Sequence, residues 1–222
     1  MRHICIAFSF LFFNALGMSQ KQQKMGKRML ALGDSYTIGE SVAENERWPV
    51  QLVRMLNASG ADFEYPEIIA KTGWTTDELI AAINEDNPIG PFDLVSLLIG
   101  VNNQYRGNSL TLYKEEFTVL LNKAIGFAGN DKSKVIVVSI PDWGVTPFAE
   151  GRDRNKIAEE IDNFNAANKT IAKRLGIKYV EITLASRKAA INNSLIASDG
   201  LHPSAEMYTQ WAKKIWTLLE GP

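Results

Sequence analysis

The sequence predicts an α/β domain built on a five-stranded, mainly parallel sheet with helices on both faces. Two observations carry that prediction. Apolar strand-length runs alternate with longer amphipathic ones from Lys27 to the end of the chain. Two of the runs, Phe92 to Ile99 and Lys134 to Ile140, are almost continuously apolar, as strands covered on both faces must be. There is no internal repeat and no linker, and 222 residues suit one domain with a sizeable core.

In order, Arg28 to Gly33 is the first strand. Trp48 to Leu56 is a helix with Pro49 in its first turn, where the missing N–H costs nothing, and Asn57 to Gly60 close it. Tyr65 to Ala70 is the second strand, followed by the turn Lys71-Thr72-Gly73-Trp74. Thr75-Thr76-Asp77-Glu78 reads as a hydroxyl-capped helix start. Phe92 to Ile99, the third strand, ends at Gly100-Val101-Asn102-Asn103. A helix over Leu112 to Phe127 precedes the fourth strand, which Pro141 breaks. The loop Pro141 to Arg152 leads into a long amphipathic helix with Ile157, Ile161, Phe164, Ile171 and Leu175 on one face and Gly176 as its cap. Ile177 to Ile182 is the fifth strand. A short helix over Leu184 to Ile191 and a last one over Ala205 to Leu219 complete the pattern.

Residues 1–19 read as a signal peptide. Arg2 and His3 give a short positive start, Ile4 to Leu16 an apolar run too short to span a bilayer comfortably, and Gly17 and Ser19 a small-residue cleavage site. The alternative is an uncleaved anchor. Residues 20–26 read as a disordered polar lead-in and 27–222 as a single domain, so the expected location is exported, periplasmic or secreted, with no stable membrane insertion after cleavage. The one cysteine, Cys5, lies in the leader, which excludes a thiol nucleophile and a thiolate metal site from the mature chain. A net charge of −1 gives no electrostatic case for nucleic acid. Three N-x-[ST] matches, at Asn57, Asn168 and Asn192, mean little without a known compartment, and Asn168 falls inside a predicted helix.

Ligands of such sheets bind beyond the carboxyl ends of the strands, so the loops there are the place to look for chemistry. The loop after the first strand reads Gly33-Asp34-Ser35. The mature chain has one histidine, His202, in Asp199-Gly200-Leu201-His202-Pro203. A base three residues after an acid, opposite a serine at a strand end, is what an activated serine needs: one group to take its proton and another to fix the base's tautomer. Gly73 and Asn102, at two further strand ends, can offer a backbone N–H and a side-chain amide to a developing oxyanion, together with the N–H of Ser35. Asp34 reads as a brace for its turn. The α/β-hydrolase elbow, the dinucleotide-binding glycine pattern and a hydrolytic zinc site all fit worse: the first two motifs are absent, and one mature histidine makes zinc a poor fit.

Gly33-Asp34-Ser35, Gly73, Gly100-x-Asn102 and Asp199-x-x-His202 together resemble the four sequence blocks of the SGNH (GDSL) hydrolase family, over nearly the whole mature chain. The resemblance implies a flavodoxin-like three-layer α/β/α sandwich and a serine esterase with no metal and no cofactor. By motif position it implies Ser35 as nucleophile, His202 as base and acid, Asp199 as its orienting group, and Ser35, Gly73 and Asn102 as the oxyanion hole. One departure is Asn103, where the family commonly has Asp; it is expected to alter local hydrogen bonding without removing Asn102's donor.

Tyr36, Trp74, Tyr105, Trp143 and Phe148 accompany the same loops and are expected to form an apolar or stacking substrate wall. The loop Pro141 to Phe148 is the expected specificity element. The predicted substrate is a small-molecule or carbohydrate ester with a short acyl group, such as an acetyl ester; the alternatives are a lysophospholipase or thioesterase-like enzyme, and a non-catalytic carbohydrate-binding module on the same fold.

Overall fold

The structure, a computed structural model, describes residues 25–221. The signal peptide and residues 20–24 of the lead-in lie outside the described residues. Five strands, β1 (Met29–Asp34), β2 (Glu67–Lys71), β3 (Leu94–Leu98), β4 (Val135–Val138) and β5 (Lys178–Val180), form one sheet in the order β2-β1-β3-β4-β5. Every pairing is parallel. Among the described residues no helix is long and apolar enough to cross a membrane.

Eight helices accompany the strands among the described residues: α1 (Ser35–Ile38), α2 (Trp48–Ala58), α3 (Thr76–Asp86), α4 (Val101–Tyr105), α5 (Leu110–Phe127), α6 (Arg154–Leu175), α7 (Thr183–Ser186) and α8 (Ala205–Glu220). Helix α2 packs on α8, while α3 packs on α5 and α5 on α6, giving the two outer layers of a three-layer sandwich. Trp48, Tyr208 and Trp211 fill the first layer's core, and Tyr113 and Phe117, with Phe164 against Tyr113, fill the second. The three central strands are buried along their whole length, which explains their mostly apolar sequences, whereas the edge strands β2 and β5 are partly exposed.

Local signals place the helix starts. Thr75 and Glu78 form a reciprocal capping box at α3, with the Thr75 N–H donating to Glu78 at 2.8 Å. Asp153 caps α6 through the Lys156 N–H, and Ser204 caps α8 through Met207. The second strand begins two residues later than its sequence suggests, after Pro66, which has no N–H to give to a ladder. The expected helix over Leu184 to Ile191 is instead the single turn of α7 followed by a 3₁₀ turn over Arg187–Ala190. There the Ser186 hydroxyl donates back to the Thr183 carbonyl, and the Arg187 side chain is drawn to Asp142 and Asp162.

This strand order sets the site. From β1 the chain crosses to β2 on one side, and from β2 it returns past β1 to β3 on the other. The loops after β1 and β3 therefore diverge and leave a crevice at the sheet's carboxyl edge. Adjacent β1 and β3 must also approach closely there. A Cβ on Gly33 would lie 2.4 Å from the Leu98 carbonyl and 2.1 Å from the Thr37 hydroxyl, so no larger residue fits without moving a strand.

Candidate active site

Strand β1 ends at Asp34, whose carboxylate accepts the Tyr36 N–H at 3.0 Å and so caps the one-turn helix α1. Sequence reading expects a brace at Asp34 but does not foresee that helix, which puts Ser35 at its first position. In that turn the Ser35 N–H has no intrahelical acceptor. Asp34 is fully buried with one carboxylate oxygen unpartnered, and burial pushes its pKa up to about 7, against the lowering effect of the backbone N–H groups.

At the other end of the chain, Asp199 folds its own loop. One carboxylate oxygen accepts the N–H groups of Leu201 and His202, both at 2.9 Å. The other accepts His202 Nδ1 at 2.6 Å. The His202 carbonyl takes the Ala197 N–H, and Ile196 bridges to Pro203, which anchors the loop's backbone before α8. Partial desolvation pushes the Asp199 pKa up, but the bonds from the His202 ring, the Leu201 and His202 amides and the Ser41 hydroxyl outweigh it and hold the carboxyl at about 2. An ionised Asp199 only accepts, so Nδ1 carries the ring proton. His202 Nε2 is then the acceptor facing Ser35 Oγ, at 2.9 Å. Ser35 and His202 are both buried, and Tyr36 packs its ring 5.0 Å from the imidazole.

The loops after β2 and β3 meet beside Ser35. Gly73 has φ +86°, a left-handed conformation that suits glycine, and its N–H has no hydrogen-bond acceptor among the described residues. Its carbonyl is held by Arg106, just past α4, at 2.6 Å, and Arg106 pairs with Glu78 of α3. The Asn102 amide donates to the Trp74 carbonyl at 3.0 Å, which fixes the amide and leaves its second N–H free. Neighbouring Asn103 is buried. It accepts the Thr76 N–H at 3.1 Å and donates to the Thr76 hydroxyl oxygen at 2.7 Å, so that hydroxyl's own proton goes outward to Glu116. An aspartate at 103 would have no N–H to give Thr76. The departure at Asn103 thus reverses one local hydrogen bond and leaves Asn102's amide in place.

Ser35, Gly73, Asn102 and His202 share one cavity of about 140 Å³ with Tyr36, Thr72, Val101, Tyr105, Trp143, Phe148 and Leu201. Four of the five aromatics expected at a substrate wall therefore line it. Trp74 does not: after the left-handed Gly73 its side chain packs against the core, and its contribution to the site is the carbonyl that holds Asn102. The loop Pro141 to Phe148 reaches the cavity through Trp143 and Phe148. It is pinned by Asp142, which accepts the Gly144 N–H and pairs with Arg187, by the Trp143 indole N–H donating to Gln104 at 2.7 Å, and by the Phe148 N–H donating to Gly200. Sequence reading misses Arg106, Gln104 and Ser41, since each reaches the site through contacts that no motif spacing signals. Asn168 is fully buried and bonded to the Tyr113 hydroxyl, which closes it to glycosylation in the folded chain.

This arrangement can deprotonate a serine hydroxyl and surround a nearby oxyanion with N–H donors. The fold is shared with known proteins. Solved structures of similar fold include Axe2, an acetylxylan esterase from Geobacillus stearothermophilus (TM-score 0.70, 19% identity, covering 89% of this chain and 95% of that one). The esterase EstA from Pseudoalteromonas sp. is another (0.64, 17%, 87% and 97%). So is a lipolytic G-D-S-L protein from Veillonella parvula (0.65, 20%, 87% and 97%). No curated protein sequence matches the chain. Residues 31–210 match the sequence profile of the GDSL-like lipase/acylhydrolase family. The chain belongs to that family, and it is a carboxylic ester hydrolase.

Proposed function

We propose that the protein is an exported serine esterase that removes short acyl groups, such as acetyl, from carbohydrate esters through an acyl-enzyme on Ser35. The observation that carries this reading is the unbroken chain Ser35 Oγ to His202 Nε2 (2.9 Å) and His202 Nδ1 to Asp199 (2.6 Å), opening on a small apolar cavity. In the proposed sequence Ser35 Oγ attacks the ester carbonyl as its proton passes to His202. The N–H groups of Ser35 and Gly73 and the free N–H of Asn102 stabilise the oxyanion, and the alcohol leaves with the proton from His202. Water, deprotonated by the same imidazole, then hydrolyses the acyl-enzyme. Asp199, charged down to about pH 2, orients the imidazole throughout.

Cavity size supports the short acyl group. A volume of about 140 Å³ matches a space that holds a benzene-sized molecule and falls well below the roughly 300–1,000 Å³ of drug-sized ligand pockets. The exposed Tyr105 and Phe148 at its edge suit a sugar ring, and Axe2 acts on acetylated xylan by its name. The 1–19 segment supports export. A p-nitrophenyl ester series run on the protein and on Ser35→Ala tests the reading. Acetate should be turned over well ahead of octanoate, and the variant should be inactive. Acetylated xylan set against lysophospholipid separates the carbohydrate reading from the lysophospholipase one, and equal turnover of octanoate and acetate sinks the short-acyl claim.

A further inference from the structure

We infer that Ser41 is a positioning residue for Asp199, locking the acid–base loop to the segment that carries Ser35. The inference rests on the reading of Asp199 as the group that orients His202. The Ser41 hydroxyl donates to Asp199 Oδ2 at 2.8 Å, on the same oxygen that accepts His202 Nδ1. Among the described residues four donors reach the carboxylate: the Leu201 and His202 amides on one oxygen, and the His202 ring and Ser41 on the other. They match the roughly four lone-pair sites that a carboxylate presents. Three of the four belong to the Asp199–His202 loop itself and travel with it. Only Ser41 comes from elsewhere in the chain, six residues beyond Ser35. Its segment is tied to α1, since the Glu40 N–H donates to the Ser35 carbonyl and the Val42 N–H to the Gly39 carbonyl. The hydroxyl therefore ties the acid to the serine's segment independently of the His202 ring, whose own bond to Ser35 is the one that changes as the proton moves.

A backbone feature points the same way. Ser41 has φ +65°, in the left-handed region that a serine occupies at an energetic cost. The other non-glycine residues with positive φ among the described residues are Asn87 and Asn130, both of the side-chain type that tolerates this conformation. Glycine at 41 would relieve the backbone, but it has no hydroxyl. Strain at a residue bonded to the acid of a candidate triad is the pattern expected where function outweighs local stability.

This sets activity against stability and gives a test that a purely structural role fails. Ser41→Gly should lower kcat on p-nitrophenyl acetate by about tenfold, the size of one lost hydrogen bond to a charged group, with KM unchanged. Its urea midpoint should be equal to or above that of the unsubstituted protein. Ser41→Ala should lose as much kcat while being less stable, and Ser41→Asn, which keeps a donor and tolerates the backbone, should recover part of the rate. Labelling of Ser35 by a fluorophosphonate should slow in step with kcat. Unaltered kcat and labelling in Ser41→Gly, or loss of kcat only in variants that lose stability, overturns the inference. Measured beside Ser35→Ala, the outcomes separate: an active Ser35→Ala defeats the esterase reading, whereas an inactive Ser35→Ala with a fully active Ser41→Gly defeats only the role of Ser41.

Discussion

The two halves of the site are held in opposite ways. On the acid–base side every polar group is satisfied within the site: Asp199 takes four donors, and His202 bridges Asp199 and Ser35. On the oxyanion side the groups that face the cavity are left open, and the bonds that fix them run outward. Asn102 is held through the Trp74 carbonyl, Gly73 through its own carbonyl on Arg106, and the whole β2–α3 turn through Asn103 on Thr76. The first half is organised to share a proton already present. In the proposed reaction the second surrounds a charge that exists only during turnover, which is how fixed dipoles give most to a transition state.

Substitutions should separate the halves, beginning with the acid–base side. Ser35→Ala and His202→Ala should each reduce kcat by on the order of 10⁴–10⁶, and the double variant should be little worse than either, because the two act as a unit. A double variant whose loss multiplies the two single losses would break that unit. Next comes Asn102→Ala, expected to lower kcat by about 10²–10³ with little change in KM, as for removal of one oxyanion donor. A rise in KM alone would move Asn102 from transition-state to ground-state binding. Arg106→Met acts one step further out. It frees the Gly73 carbonyl and should cost roughly threefold to tenfold in kcat, because an exposed ion pair contributes little by itself and the effect must run through the Gly73 peptide. If Glu78→Gln matched it, the ion pair rather than the carbonyl contact would be responsible.

The smallest effect concerns stability and lies beneath both halves. Asp34 has a folded-state pKa near 7, above its unfolded value near 4, so the folded chain holds the extra proton and stability falls as pH rises through that window. Asp34→Asn retains the acceptor for the Tyr36 N–H and removes the titration. Between pH 5 and pH 8 the unsubstituted protein should therefore lose about 2–3 kcal/mol relative to the variant in urea unfolding. A stability difference that stays constant over that range removes Asp34 as the source.

The strands of the sheet were legible in the sequence because burial on both faces writes itself as nearly uninterrupted apolar runs such as Leu94–Leu98, broken only by Ser96, and Val135–Val138. The long α6 was legible from its apolar stripe and its Gly176 cap. Helix α1 was not, because four residues carry no periodicity, and α4 was masked in the same way. Among site residues, Ser35, Gly73 and Asn102 follow strand ends and Asp199 and His202 share the short loop before α8, where chain order and chemistry together single them out; the structure brings all but Asp199 to one cavity, with Asp199 bonded behind His202. Trp74 was misplaced because composition cannot tell which side of a turn an indole takes after a left-handed glycine. Ser41 and Arg106 were silent for a different reason: each acts through one contact across the fold, and nothing in their neighbouring sequence marks it.

In the proposed mechanism His202, held by Asp199, makes Ser35 a nucleophile. Reaction of the folded protein with a fluorophosphonate, followed by peptide mass mapping, measures that directly. One adduct per chain is expected, located on Ser35, absent in Ser35→Ala and formed far more slowly in His202→Ala. A folded protein that takes up no label, or takes it up at the same rate without His202, contradicts it.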